Sequence, residues 1–330
     1  MEKFIYTVDT HTEGDPTRFL LFGIPFLKGK TMVDRVEEFS KKYDSIRQVL
    51  MREPRGHKDM FGAVITPPTS EAAAFGVIFM DNEGYLNMCG HGIMAAATIG
   101  KKLGFVDVDV PEISIDTAAG PVKARYISLA GNAFEVEITS VPSFAYRINE
   151  SIHLESIGPI PVDIGFGGNF FAFVKARDLG IDEQCPDLEM IRALGMRVKR
   201  TVNEKIRVSH PEMPHINTVD LVEITLSPSS EDLNCKTALV FGDGQIGRDP
   251  CATGTTAKMA IEHAKGNLKL NERYRKEGII GTVYTGRLTE ETRVGEFSAV
   301  VPVLSGNTYI TGIHQFVVED REPRKTGWLL

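Results

Sequence analysis

Two cysteine-centred stretches carry the residues most suited to chemistry. One reads Met88-Cys89-Gly90-His91-Gly92, the other Pro250-Cys251-Ala252-Thr253-Gly254. Aligned on their cysteines, both follow C-x-x-G-x-x-A, with Gly92 matching Gly254 and Ala95 matching Ala257. Both run on into helix-forming residues. Each spacing therefore predicts a cysteine on a tight turn at a helix start, where backbone N–H groups lack partners and the helix dipole is positive. A thiolate is stabilised in that position, so lowered thiol pKa values are expected. The same N–H groups suit a substrate carboxylate. Two such half-sites would set one thiol on each side of a bound carboxylate.

Opposed thiols suit racemisation at the Cα of an amino acid, which needs a base on one face and an acid on the other. That proton is weakly acidic, and pyridoxal phosphate is the common electron sink. No lysine stands out as its anchor, so no cofactor is expected. Helix N-termini at the carboxylate would stabilise the developing enolate instead. Cys185 and Cys235 lack any such context and read as small buried hydrophobes. A disulfide switch between Cys89 and Cys251 is a competing use, but neither cysteine sits in C-x-x-C form. His11 with Glu13, and His57 with Asp59, lack the spacing of a defined metal site, so no metal is expected. Gly167-Gly168 resembles half a phosphate loop without the lysine that would complete it.

The elements around these motifs must come from 330 residues, enough for two domains. The content is 42% hydrophobic and 25% charged, as in ordinary globular proteins. A net charge of −7 with scattered basic residues gives no nucleic-acid surface. No apolar run is long enough to span a membrane. The opening Met1-Glu2-Lys3-Phe4-Ile5 has no apolar leader, and the cysteines form no disulfide framework. A reducing, cytoplasmic setting is expected.

Apolar spacing predicts helices over 32–51, after Cys89 to about residue 100 or 104, over 188–203 and after Cys251. Strands are predicted over 4–10, 18–23, 63–66, 74–80, 113–117, 122–126, 134–138, 171–176, 219–225, 236–241, 279–284, 298–304 and 309–318. The pattern loosens across 149–161, which places a domain boundary there. The expected fold is α+β. Residues 1–150, joined by 305–330, form a strand-rich half around the Cys89 helix, and residues 151–304 form its counterpart around the Cys251 helix. Mostly antiparallel sheet is expected, with the site in a cleft at the seam.

At these residues the chain resembles the proline racemase family, within the broader diaminopimelate-epimerase-like fold. The resemblance runs along essentially the whole chain. It includes Asp9-Thr10-His11-Thr12-Glu13-Gly14, Glu53-Pro54-Arg55-Gly56-His57, Asp59-Met60-Phe61-Gly62, Thr218-Val219-Asp220 and both cysteine motifs. It implies a cofactor-independent two-base mechanism, with Cys89 and Cys251 as the catalytic pair, and a homodimer. Gly90, His91, Gly92, Ala252 and Thr253 match positions around the substrate carboxylate and amine. Phe61 and Phe241 match the apolar walls of proline-specific members. The family's hydroxyproline dehydratases typically carry threonine where this chain has Cys251. The resemblance thus implies a proline racemase, with a 4-hydroxyproline 2-epimerase as the alternative.

One departure stands out. Where the family reads D-R-S-P-C-G-T-G, this chain reads Gly247-Arg248-Asp249-Pro250-Cys251-Ala252-Thr253-Gly254. The aspartate that meets the substrate amine is replaced by Gly247. Asp249, two residues on, would share its face in an extended segment and take over that contact. Its other reading is a cap for the second helix turn. A catalytically weakened, amino-acid-binding relative is the reading that follows if Asp249 does not substitute.

Overall fold

The computed structural model describes residues 3–129 and 133–329. In chain order the elements begin β1 (Lys3–Thr12), β2 (Asp15–Phe22), α1 (Met32–Met51), β3 (Gly62–Thr66), β4 (Ala73–Met80), β5 (Tyr85–Leu86) and α2 (Gly90–Lys102). Then come β6 (Glu112–Thr117), β7 (Gly120–Ser128), β8 (Phe134–Thr139), β9 (Ser143–Leu154), β10 (Gly158–Phe166), β11 (Phe170–Lys175) and α3 (Leu188–Lys205). The chain ends with β12 (Val219–Leu226), β13 (Cys235–Phe241), β14 (Gln245–Ile246), α4 (Ala252–Ala264), β15 (Tyr274–Glu277), β16 (Val283–Val294), β17 (Phe297–Gly306) and β18 (Thr308–Val318).

Two units pack internally. One runs to Ile138 and resumes at Gly306; the other is Thr139–Ser305. The division thus falls twelve residues before the expected position near 150. The stretch 149–161 is not a loose linker, because β9 and β10 pair through it. Its alternation is hidden by Asn149, at φ 54°, and by register shifts around Ile164. A bulge of this kind breaks the two-residue period on which strand prediction rests.

In the first unit the strands pair in the order β18, β1, β2, β3, β4, β6, β7. In the second the pairing closes on itself through β9, β10, β11, β12, β13, β15, β16, β17 and back to β9. The cysteine repeat extends into this topology. In the first unit β2/β3 is parallel, β3/β4 antiparallel, β4/β6 parallel and β6/β7 antiparallel. In the second, β11/β12, β12/β13, β13/β15 and β15/β16 repeat that sequence of directions. Most pairings are antiparallel, as expected, and the parallel ones are β2/β3, β4/β6, β11/β12 and β13/β15. They arise because a helix-bearing crossover separates β2 from β3 and β4 from β6.

Each unit has one helix that is buried all round. Gly90 to Gly100 of α2 and Ala252 to Ile261 of α4 are entirely buried. Most residues over these stretches are small or apolar, which is the pattern of a core helix. The other two helices are amphipathic. Thr31 caps α1 in a capping box with Asp34, and Phe39, Ile46, Val49 and Leu50 form its buried stripe. Ile191, Leu194, Val198 and Val202 do the same for α3. The strand expected over 279–284 begins later, at Val283, because residues 278–282 form a turn with Gly281 at φ 86°. No helix among the described residues is long and apolar enough to cross a membrane.

Candidate active site

The first half-site is built on the turn between β5 and α2. Cys89 is the N-cap of α2, and its Sγ accepts the backbone N–H of Gly92 at 3.3 Å. Gly92 must be glycine, since a Cβ there would lie 2.5 Å from the Phe79 ring. His91, in the first turn, is buried and puts Nδ1 3.2 Å and Nε2 3.7 Å from the Cys89 sulfur. Thr12, at the end of β1, donates to the His91 carbonyl at 3.2 Å and shares a hydrogen bond with Thr308 at 2.7 Å. The strand edge thereby pins the helix start. Phe61, on the loop entering β3, is buried with its ring centroid 4.9 Å from that of His91. Burial holds the His91 imidazole below its ordinary pKa, opposed by the Asp15 carboxylate, so the ring is neutral at neutral pH.

The second half-site repeats this geometry on α4. Cys251 is the N-cap, and its Sγ accepts the Gly254 N–H, again at 3.3 Å. Gly254 is required for a different reason: a Cβ there would stand 1.8 Å from Oε1 of Glu223. Cys251 has φ 58°, a region that a side chain makes costly by about 1–3 kcal/mol and that recurs at functional sites. Asp249 holds this turn. Its Oδ1 accepts the Cys251 N–H at 3.0 Å and its Oδ2 accepts the Tyr284 hydroxyl at 2.7 Å. Thr253 brings Oγ1 to 3.7 Å from the sulfur, where the first half-site has His91. Ala252 is buried at the first position of the helix. Phe241, the buried last residue of β13, enters the Gly242–Gly244 turn that leads to β14.

One sequence reading needs correction. The Cys251 thiol was expected to titrate low. Burial instead pushes it well above the ordinary thiol range, helped by the Glu223 and Asp249 carboxylates and opposed by Lys276 and the Gly254 N–H. Helix-terminus stabilisation is real, but desolvation and two nearby anions outweigh it. Gly167-Gly168 serves packing, not phosphate: a Cβ on Gly167 would lie 2.4 Å from both Thr253 O and Thr256 Oγ1. The bare glycine lets the chain between β10 and β11 lie against the first turn of α4.

The candidate metal pairs make hydrogen bonds to backbone N–H groups. His11 Nδ1 accepts the Gly14 N–H, Glu13 accepts the Asn307 N–H, and His57 Nδ1 accepts the Asp59 N–H. At Gly247 a Cβ would meet Leu239 Cδ2 at 2.8 Å, so a side chain there would project into packed apolar atoms. Glu223 and Lys276 went unnoticed in the sequence. Each stands among other charges, Glu223 with Asp220 on β12 and Lys276 between Arg275 and Glu277 on β15, so nothing local marks either as buried. Cys235, expected to be inert, is buried with its sulfur 3.2 Å from the Tyr274 hydroxyl, while Cys185 is exposed rather than buried.

Comparison with known proteins bears on this geometry. The family model described as proline racemase matches residues 7–329. A proline racemase of Acetoanaerobium sticklandii is 44% identical over 329 residues, covering 99% of this chain and 98% of its own. A trans-3-hydroxy-L-proline dehydratase of Bacillus cereus is 38% identical over 333 residues, covering 100% and 99%. Among solved structures, a hydroxyproline epimerase from Agrobacterium vitis with bound trans-4-hydroxy-L-proline is similar with a TM-score of 0.92 at 29% identity. That match covers 99% of this chain and 96% of the other.

Proposed function

The chain belongs to the proline racemase family, and from that premise we propose that it inverts the Cα of proline by a two-base mechanism using Cys89 and Cys251. The observation that carries the reading is the repeated half-site. Each cysteine caps a helix whose first ten residues are buried, and each sulfur accepts the N–H three residues on at 3.3 Å. One thiolate removes the Cα proton, and the other cysteine, as thiol, delivers a proton to the opposite face. The roles exchange when the enantiomer is the substrate, and the pair titrates as a unit. The N–H groups of the first turns, at Gly90, His91 and Gly92 and at Ala252 and Thr253, receive the substrate carboxylate and stabilise the enolate charge. The mechanism calls on no cofactor and no metal.

Asp249 takes the amine contact in this reading. Its oxygens accept from the Cys251 N–H and from the Tyr284 hydroxyl of β16, and each carboxylate oxygen can accept more than one hydrogen bond. Phe61 and Phe241 wall the pyrrolidine ring. An apolar wall disfavours a ring hydroxyl, because a buried hydroxyl without a partner costs about 1–3 kcal/mol. That places proline ahead of 4-hydroxyproline. A homodimer in the cytoplasm belongs to the same proposal, and sedimentation would test the assembly.

The test is incubation with L-proline, and separately with trans-4-hydroxy-L-proline, in D2O under reducing conditions. Loss of the Cα proton signal and the change in optical rotation are followed together. Exchange with inversion on proline, abolished in Cys89→Ser and Cys251→Ser, is expected. Exchange on hydroxyproline alone would make the protein an epimerase. Ligand-induced thermal stabilisation without exchange on either would identify an amino-acid-binding relative and overturn the catalytic reading.

A further inference from the structure

Behind Cys251 lie two charged side chains that the reaction above does not use. Glu223 projects from β12 and Lys276 from β15, and neither has any solvent exposure. Lys276 Nζ donates to Glu223 Oε2. The other carboxylate oxygen, Oε1, has no hydrogen bond of ordinary length from any described protein group. It faces the first turn of α4. A Cβ on Gly254 would stand 1.8 Å from Glu223 Oε1 and 3.1 Å from Cys251 Sγ, so carboxylate and sulfur approach each other across a bare Cα.

Taking an ion pair into a core costs several kcal/mol per ion, and apolar residues of the same volume commonly serve stability as well or better. A buried pair with one acceptor turned toward a thiol therefore asks for a role beyond packing. The two half-sites also differ at this point. Cys89 has the imidazole of His91 beside it, a group able to take a proton, whereas Cys251 has the hydroxyl of Thr253, which is not.

We propose that Glu223, held in place by Lys276, is a positioning residue for Cys251: its Oε1 takes the thiol hydrogen bond, and the two groups share one proton. The inference rests on the reading of Cys251 as an acid–base group. In the shared step the S–H bond of Cys251 breaks and an O–H bond forms on Glu223. The negative charge passes from carboxylate to sulfur, and Lys276 stays charged throughout. The reverse step restores the thiol. Four charged groups act here: Glu223 from β12, Lys276 from β15, Asp249 from the cysteine's own turn, and Lys258 of α4 on the same carboxylate.

The test is alkylation of the full-length protein by iodoacetamide across pH, with peptide mass mapping to separate Cys251 from Cys89. Glu223→Gln keeps the shape but removes the anion while Lys276 remains. The Cys251 midpoint should fall by about one to three pH units, the range for loss of a close charge. Lys276→Met should move the midpoint the other way. The Cys89 midpoint should stay in place in both. Coincident Cys251 midpoints in all three proteins would overturn the proposal. A second measurement needs no variant at either charge. The S–H stretching band of the native protein that disappears in Cys251→Ser should lie below that of a thiol without a charged acceptor, and an unshifted band would also overturn it. Neither readout depends on turnover. Moving midpoints without Cα exchange would leave the pair standing and remove the racemase reading; exchange with fixed midpoints would do the reverse.

Discussion

Nδ1 of His91 lies 3.2 Å from Sγ of Cys89, with the imidazole buried and neutral. Sequence position alone suited His91 to a substrate amine. Both ring nitrogens also lie within 3.7 Å of the sulfur of its own half-site, where the imidazole can hold or release the Cys89 proton. His91→Gln should therefore lower kcat by about 10²-fold, within the range for a general acid–base group, and change KM little. Steady-state kinetics in both directions would check this. A dominant rise in KM would return His91 to the amine.

The same burial sets a pH dependence of stability. Both His91 and His210 have imidazoles whose pKa is lowered chiefly by burial. Below pH ~6.5 the unfolded chain takes up protons that these folded groups refuse. Stability is then full above that pH and falls as pH drops toward the folded values. Melting temperatures measured from about pH 7 to 5 should fall. His91→Gln should flatten part of the slope and leave the part owed to His210.

Gly92 and Gly254 occupy equivalent places but face different obstacles. Gly92→Ala would press on the edge of the Phe79 ring, and Gly254→Ala on the buried Glu223 carboxylate. Overpacking costs about 1–3 kcal/mol. We expect the upper end for Gly254→Ala, where a charged pair must shift, with a loss of about 2–4 °C in Tm for each kcal/mol. Both variants should lose Cα exchange, because the N–H that each sulfur accepts would move. Calorimetry with the D2O assay would separate the two effects.

Asp249 can be divided into its two roles. Asp249→Ala removes the carboxylate, the Cys251 N–H acceptor and the Tyr284 partner together. It should raise KM for any cyclic amino acid at least about tenfold, the scale of a lost charge-assisted hydrogen bond. Tyr284→Phe keeps the carboxylate and removes only the phenol donor, so its KM should stay near that of the parent. Equal KM values in Asp249→Ala and the parent would confine Asp249 to the helix turn.

Much of the chain's design is local and therefore legible in the sequence. Apolar spacing located α1 to its ends, and the two C-x-x-G motifs marked the starts of α2 and α4. What escaped is non-local. Strand β9 carries exposed polar residues and a positive-φ Asn149, so its pairing with β10 is visible only in register. Motif residues with no apparent chemistry became scaffold. Asp9 holds Arg18 at 2.8 Å, Arg18 in turn reaches the Leu50 carbonyl, and Glu53 receives the Trp328 indole.

The sequence by itself determined where the candidate chemistry lies: two cysteines, each three residues before a glycine, at the head of a helix whose first turns are buried. Those are properties of a few neighbouring residues, and local sterics fix them. The tertiary structure alone decided how the Cys251 thiol is tuned. A helix start argues for a low pKa, yet Cys251 sits on the high side because burial desolvates it and Glu223, 28 residues away in sequence, is folded against it. Desolvation and charge act through space, and no spacing along the chain records which anion will be buried beside which sulfur.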